Sequence, residues 1–170
     1  HGEMLGQHGE SGHGFFVYQP AIKIPLIVKL PGKTKPRRIS ESVGTIDIVP
    51  TICGMLGLEL SHDVQGWDLS RVLQGENADE SGRHIYFQSF EATRYGGNPL
   101  LGVLNDQYKY IQTTRPELYE LPADPAELNN LQPEQVNRGR VMEGKLLEKV
   151  EASVRDENAP SQSELSAESL

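Results

Sequence analysis

His1-Gly2-Glu3-Met4-Leu5-Gly6-Gln7-His8-Gly9-Glu10-Ser11-Gly12-His13-Gly14 opens the chain, and the rest is read outward from it. Three of the five histidines lie here, with two glutamates and five glycines. Glycine lets a backbone turn sharply and approach a bound group closely. Imidazole is a common metal ligand and a proton carrier near neutral pH. Histidines spaced among glycines therefore describe a loop that presents ring nitrogens. The plainer readings are a polar surface loop or a tag remnant, but Met4-Leu5 and the spaced Glu3 and Glu10 are not tag-like.

The bulk numbers bound the possibilities. A chain of 170 residues is long enough for one domain with a core. Only 36% of it is hydrophobic, as expected of a chain with exposed loops and a polar tail. A net charge of -8 disfavours general binding to nucleic acid or to an anionic membrane surface. The single cysteine, Cys53, excludes an internal disulfide, and its apolar setting between Pro50 and Leu56 predicts a buried, inert thiol. No signal peptide or membrane span is visible.

Beyond the opening loop, Phe15, Phe16 and Tyr18 are expected to anchor it to a core. Ile24 to Leu30 is a β-branched run bounded by Pro25 and Pro31, which predicts a strand covered on both faces. Gly32 to Arg38 reads as a solvated basic loop. Residues 45–56 predict a helix, with Thr45 as N-cap, Asp47 in the first turn, and Ile48, Ile52, Met55 and Leu56 on one face. Gly57 is its expected stop. Residues 61–83 read as loop-rich, with Trp67 packed against a sheet, and the polar run after Gly75 reads as a connector.

From residue 84 the pattern changes. His84 to Phe90, Leu101 to Leu104, Tyr108 to Gln112 and Glu117 to Leu121 predict short strands, with Asn105-Asp106-Gln107 as a tight turn. A small antiparallel sheet follows. The loop at 91–100 is too long for a hairpin, and long loops on rigid scaffolds often carry specificity. Arg94 and Tyr95 are therefore candidate substrate contacts. Residues 133–156 predict a helix with Pro133 in its first turn and a stripe of Val136, Met142, Leu146, Val150 and Val154. The Ser/Glu-rich end predicts a disordered tail. The expected division is 1–75, 76–132, 133–156 and 157–170.

Several of these segments resemble sulfatases of the alkaline-phosphatase-like superfamily. They are His1-Gly2-Glu3 with Leu5 to Glu10, His13-Gly14-Phe15-Phe16 and Pro25 to Val28, then Thr45 to Thr51, Gln65 to Leu73, and finally Tyr108 to Ile111 with Arg115 to Leu121 and Ala123 to Leu131. The resemblance covers residues 1–131 and implies an α/β fold, of which this is the C-terminal part, with an antiparallel subdomain and a terminal helix. In the family an Asp precedes the His-Gly-Glu, so the chain is expected to be a C-terminal piece. His1 falls where sulfatases place an Asn or His beside the metal-binding Asp. His13 falls where many place an anion-binding Lys, a departure that makes charge there pH-dependent. His8 belongs to the motif as a further catalytic candidate. Glu3 and Glu10 are expected to support rather than react, Asp47 to cap, Asn129 to tie down loop backbone, and Gln65 replaces the usual Asp.

The resemblance further implies hydrolysis of a sulfate ester on a small molecule or glycan, with a divalent cation, calcium in the family, and a formylglycine nucleophile. The family's Cys/Ser-x-Pro/Ala-x-Arg segment, which matures to formylglycine, does not occur in these residues, so this piece alone is expected to be inactive. A periplasmic or secreted location is compatible with the family. The rival readings are a phosphodiesterase or phosphonate monoester hydrolase on the same fold, and a non-catalytic binding protein that retains the scaffold.

Overall fold

The computed structural model describes residues 1–32, 36–60, 64–76 and 82–154. The basic run at 33–35, most of the connector after Glu76 and the Ser/Glu-rich tail lie outside the described residues.

The organising element is a four-stranded antiparallel meander. Its strands are β1 (Ile85–Ser89), β2 (Leu100–Leu104), β3 (Tyr108–Gln112) and β4 (Glu117–Glu120), in that spatial order. Register follows from alternation. Tyr86, Val103, Tyr110 and Leu118 align across the sheet, and Phe87, Gly102, Ile111 and Glu117 form the adjacent row. The β2–β3 turn closes as the residues predict: the Asn105 side-chain oxygen accepts from the amides of Gln107 and Tyr108, at 2.9 and 2.8 Å. Gly102 permits the Phe87 ring to lie across β2, because a Cβ there would sit 2.3 Å from that ring.

Each face of the sheet has its own cover. Helix segments precede the sheet at α1 (Gln19–Ile22), α2 (Ile48–Leu56) and α3 (Ser70–Leu73), and α4 (Val136–Val154) follows it. On one face Val103, Tyr110 and Leu118 pack against Met142 and Leu146 of α4, with Val150 at the margin. On the other, Ile111 and Tyr119 pack against Val17, Tyr18 and Ile22 of the N-terminal segment. The stripe of α4 thus faces the sheet, although Val136 at its first turn is 44% exposed. The helix starts at Val136 because Glu134 and Gln135 turn back onto the Leu131 carbonyl, which leaves Pro133 outside it.

Several expectations are corrected. Ile24 to Leu30 forms no strand; Ile27 is 90% exposed, and no described segment offers a ladder partner. An extended run without a partner leaves its backbone groups to water. The helix at 48–56 forms as expected and ends at Gly57 with φ 65°, and Ile48, Ile52 and Leu56 on its apolar face are all exposed. Its N-cap is Asp47 rather than Thr45, which instead opens a 3₁₀ turn (Thr45–Asp47) whose preceding Gly44 amide donates to the Asp47 carboxylate at 2.6 Å. Cys53 is half-buried rather than sealed in a core. Trp67 lies beneath the Arg83 guanidinium, 4.7 Å from its carbon. Asn130, not Asn129, ties the loop after β4. Its side chain accepts from the Leu118 and Gln132 amides and donates to the Pro116 carbonyl.

Candidate functional site

The opening loop folds back on itself. The Met4 amide donates to the Gly12 carbonyl and the Gly6 amide to Glu10, both at 2.8 Å. Gly6, Gly9 and Gly14 take positive φ of 89°, 84° and 117°, where a Cβ would be strained. Gly2 lies so close to α1 that a Cβ would come 2.1 Å from the Pro20 carbonyl oxygen. Met4 is fully buried and pins the loop to the body.

This fold brings the two ends of the loop together. The His1 and His13 rings stack with centroids 3.6 Å apart. The His13 Nδ1 lies 2.8 Å from the Glu3 carboxylate. A carboxylate only accepts, so that nitrogen carries the proton and Nε2 is left for another partner. The His1 Nδ1 is 3.2 Å from the Gly2 carbonyl, which directs its Nε2 likewise. One ligand atom from each of His1, Glu3 and His13 lies within 4.8 Å of the others, and all three residues are exposed. The set can serve a divalent cation, although two imidazoles and one carboxylate suit a borderline metal better than calcium, which takes oxygen ligands. For calcium, further oxygens must come from outside this trio.

The other sequence candidates are placed differently. His8 is not in the cluster. Its Nε2 donates to the Ala126 carbonyl at 3.0 Å, and its ring stacks on Tyr18 at 3.7 Å, so it anchors the loop to the body. Glu10 is likewise structural and accepts from the amides of Phe15 and Phe16, each at 3.0 Å. Arg94 and Tyr95 sit on a 3₁₀ turn (Glu91–Tyr95) at the margin of this loop. Tyr95 packs on Phe15 with centroids 5.4 Å apart, Ser89 donates to the Gly14 carbonyl, and Arg94 pairs with Glu91 at 3.3 Å. Both side chains remain about three-quarters exposed.

Composition gave no hint of the charges under the loop. Lys109 is fully buried on the sheet face that carries Ile111 and Tyr119. Its Nζ lies 2.6 Å from Glu127 and donates to the Val17 carbonyl at 2.6 Å. Burial pulls the Lys109 ammonium down to about 8, opposed by the Glu127 carboxylate. Beside it, Tyr18 and Tyr119 both donate to Glu117, at 2.9 and 2.8 Å. Burial, then the Glu117 charge, pushes Tyr18 up to about 12. The available signal was alternation: Lys109 shares a face with Ile111, and that face is covered.

The family model described as "N-sulphoglucosamine sulphohydrolase, C-terminal" matches residues 6–155. The chain belongs to this sulfatase family. Arylsulfatase K of Gallus gallus is 29% identical over 140 residues, which is 77% of this chain and 26% of that protein. The N-acetylglucosamine-6-O-sulfatase of Bacteroides thetaiotaomicron is 28% identical over 138 residues, 76% of this chain and 25% of that protein. A solved structure of a 2-O glycosaminoglycan sulfatase superposes with a TM-score of 0.77 at 22% identity, over 95% of this chain and 36% of that one. That likeness shows the fold that the sheet, its helix and the N-terminal loop share with part of that structure. The chain spans about a quarter of the length of these curated relatives. Among the described residues no helix is long and apolar enough to cross a membrane.

Proposed function

We propose that this chain is the C-terminal portion of a metal-dependent sulfate-ester hydrolase and supplies part of its metal- and anion-binding face. The observation that carries the reading is the convergence of His1, Glu3 and His13 in a chain whose residues 6–155 match the sulfatase family model. The substrate class we propose is a sulfated sugar, in line with the N-acetylglucosamine-6-O-sulfatase to which the chain is similar. His1 and Glu3 are the residues that would border a divalent cation, which when bound would supply charge to polarise the ester oxygens.

In this reading His1 and Glu3 border the cation. Glu3 holds the His13 ring through Nδ1, so that Nε2 hydrogen-bonds the sulfate or donates a proton to the leaving oxygen. Arg94 and Tyr95, exposed beside Phe15, contact the sugar beyond the ester. His8 contributes by fixing the loop. The formylglycine nucleophile is not a group of this chain, so isolated residues 1–170 should not turn over.

The test is sulfate release from sulfated N-acetylglucosamine by the full-length protein carrying this segment, beside phosphonate and phosphodiester substrates. Sulfate turnover should dominate, and His13→Ala should lower it about a hundredfold or more, as loss of a general acid does. Faster phosphonate turnover would favour the rival hydrolase, and undiminished sulfate release by His13→Ala would remove His13 from the site. Calorimetric titration with Ca²⁺ and Zn²⁺ checks the metal, and weaker binding is expected for Glu3→Gln.

A further inference from the structure

The site loop is held from beneath by groups 92 to 118 residues away in the chain. Lys109 donates to the Val17 carbonyl, and the Gln19 amide donates to Glu127 at 2.5 Å. Tyr18, between them, donates to Glu117, and His8 reaches Ala126, the residue before Glu127. Glu127 itself is held at φ 56°, a left-handed conformation that is strained for a residue with a Cβ.

A buried ion pair is a poor source of stability, because removing two charges from water offsets their attraction. An apolar pair of similar volume would fill the same space. It would not hold a carbonyl at residue 17 and an amide at residue 19. Both partners here are fully buried, and each also makes one hydrogen bond to backbone of the N-terminal segment.

We propose that Lys109 and Glu127 are positioning residues whose buried pair fixes the backbone at Val17 and Gln19 and so sets where His1, Glu3 and His13 meet. The route is short on both sides. Val17 is followed back through Phe16 and Phe15, whose amides Glu10 holds, to His13. Gln19 opens α1, whose Ala21 carbonyl accepts from the Gly2 amide at 2.8 Å, between His1 and Glu3. The link to catalysis rests on the site reading above; the link to loop geometry does not.

The experiment is amide hydrogen exchange on the chain with Lys109 and Glu127 replaced together by Met and Leu. Reporter amides are those of Gly2, Met4, Phe15 and Phe16, none of which bonds to the pair. Met142→Ala, on the opposite face of the sheet, serves as a general core lesion. In the double variant the reporters should exchange roughly tenfold faster while β2 and β3 amides keep their protection, because local openings are independent of global unfolding. Met142→Ala should accelerate both groups. Should the double variant not fold, Glu127→Gln, which keeps the shape and removes the charge, carries the same comparison. Unchanged reporters, or reporters and sheet accelerating together, overturn the proposal. In the full-length protein the double variant should lower kcat about tenfold or more through misplacement of the cluster. A loosened loop with unchanged kcat would sustain the clamp and sink the catalytic reading of the cluster.

Discussion

Asp47→Ala should unfold this chain or come close to it. The Asp47 side chain is 2% exposed and pairs with Arg83, itself 7% exposed. The same carboxylate accepts from the Gly44 amide at 2.6 Å and the Trp67 amide at 2.8 Å. Removing it strands a buried guanidinium, which is worth about 3–5 kcal/mol. It also leaves two part-buried amides without an acceptor, at about 1 kcal/mol each at the low end of the range. The sum, roughly 5 kcal/mol or more, is comparable with the whole stability of a small domain. Asp47→Asn keeps the shape and one acceptor and should cost less. Arg83→Met strands the buried carboxylate in turn, but both amides still donate to it, so it should cost less than Asp47→Ala. Urea unfolding followed by circular dichroism and by the fluorescence of Trp67, the only tryptophan, measures all three and separates local from global loss. The reasoning fails if Asp47→Ala lies within about 1 kcal/mol of the parent, the scale of an ordinary substitution. It fails also if Arg83→Met is the more damaging change.

Gly102→Ala should lower stability by about 1–3 kcal/mol, as overpacking does, because the new methyl would meet the Phe87 ring at 2.3 Å and the Tyr110 carbonyl at 2.6 Å; thermal unfolding measures it. Burial, then the charge of Glu143, pushes the Tyr110 phenol up to about 12. A phenol with a raised folded pKa contributes stability that is complete below its unfolded value near 10 and is lost as pH rises from there towards 12. The unfolding midpoint should fall across that window, and less steeply in Tyr110→Phe; parallel pH profiles would count against the assignment. The open faces at Ile27, 90% exposed, and at Ile52 and Leu56, 49% and 66% exposed, should bind a hydrophobic dye. Ile27→Asp with Ile52→Glu should reduce that signal, and an unchanged signal would place the dye elsewhere.

Much of the fold is legible in the residues because it depends on near neighbours. The four strands and their order follow from alternation and from Asn105 closing a turn within three residues. The last helix follows from a stripe at helical spacing, and Gly57 ends its helix through a conformation only its own backbone decides. The opening loop announces itself by composition. What local pattern could not decide is where distant segments meet. Ile24 to Leu30 has every mark of a strand, yet a strand exists only where another backbone pairs with it, and none of the described residues does. His8 and His13 look alike in sequence. Tertiary contact sends one ring to Ala126 and the other to Glu3 and His1. Lys109 is buried because the N-terminal segment covers its face of the sheet and Glu127, distant in the chain, meets it there. Sequence fixes which groups a chain can offer, because chemistry and propensity are carried residue by residue. Burial and partnership belong to pairs of residues far apart in the chain, and only the folded backbone brings them within reach.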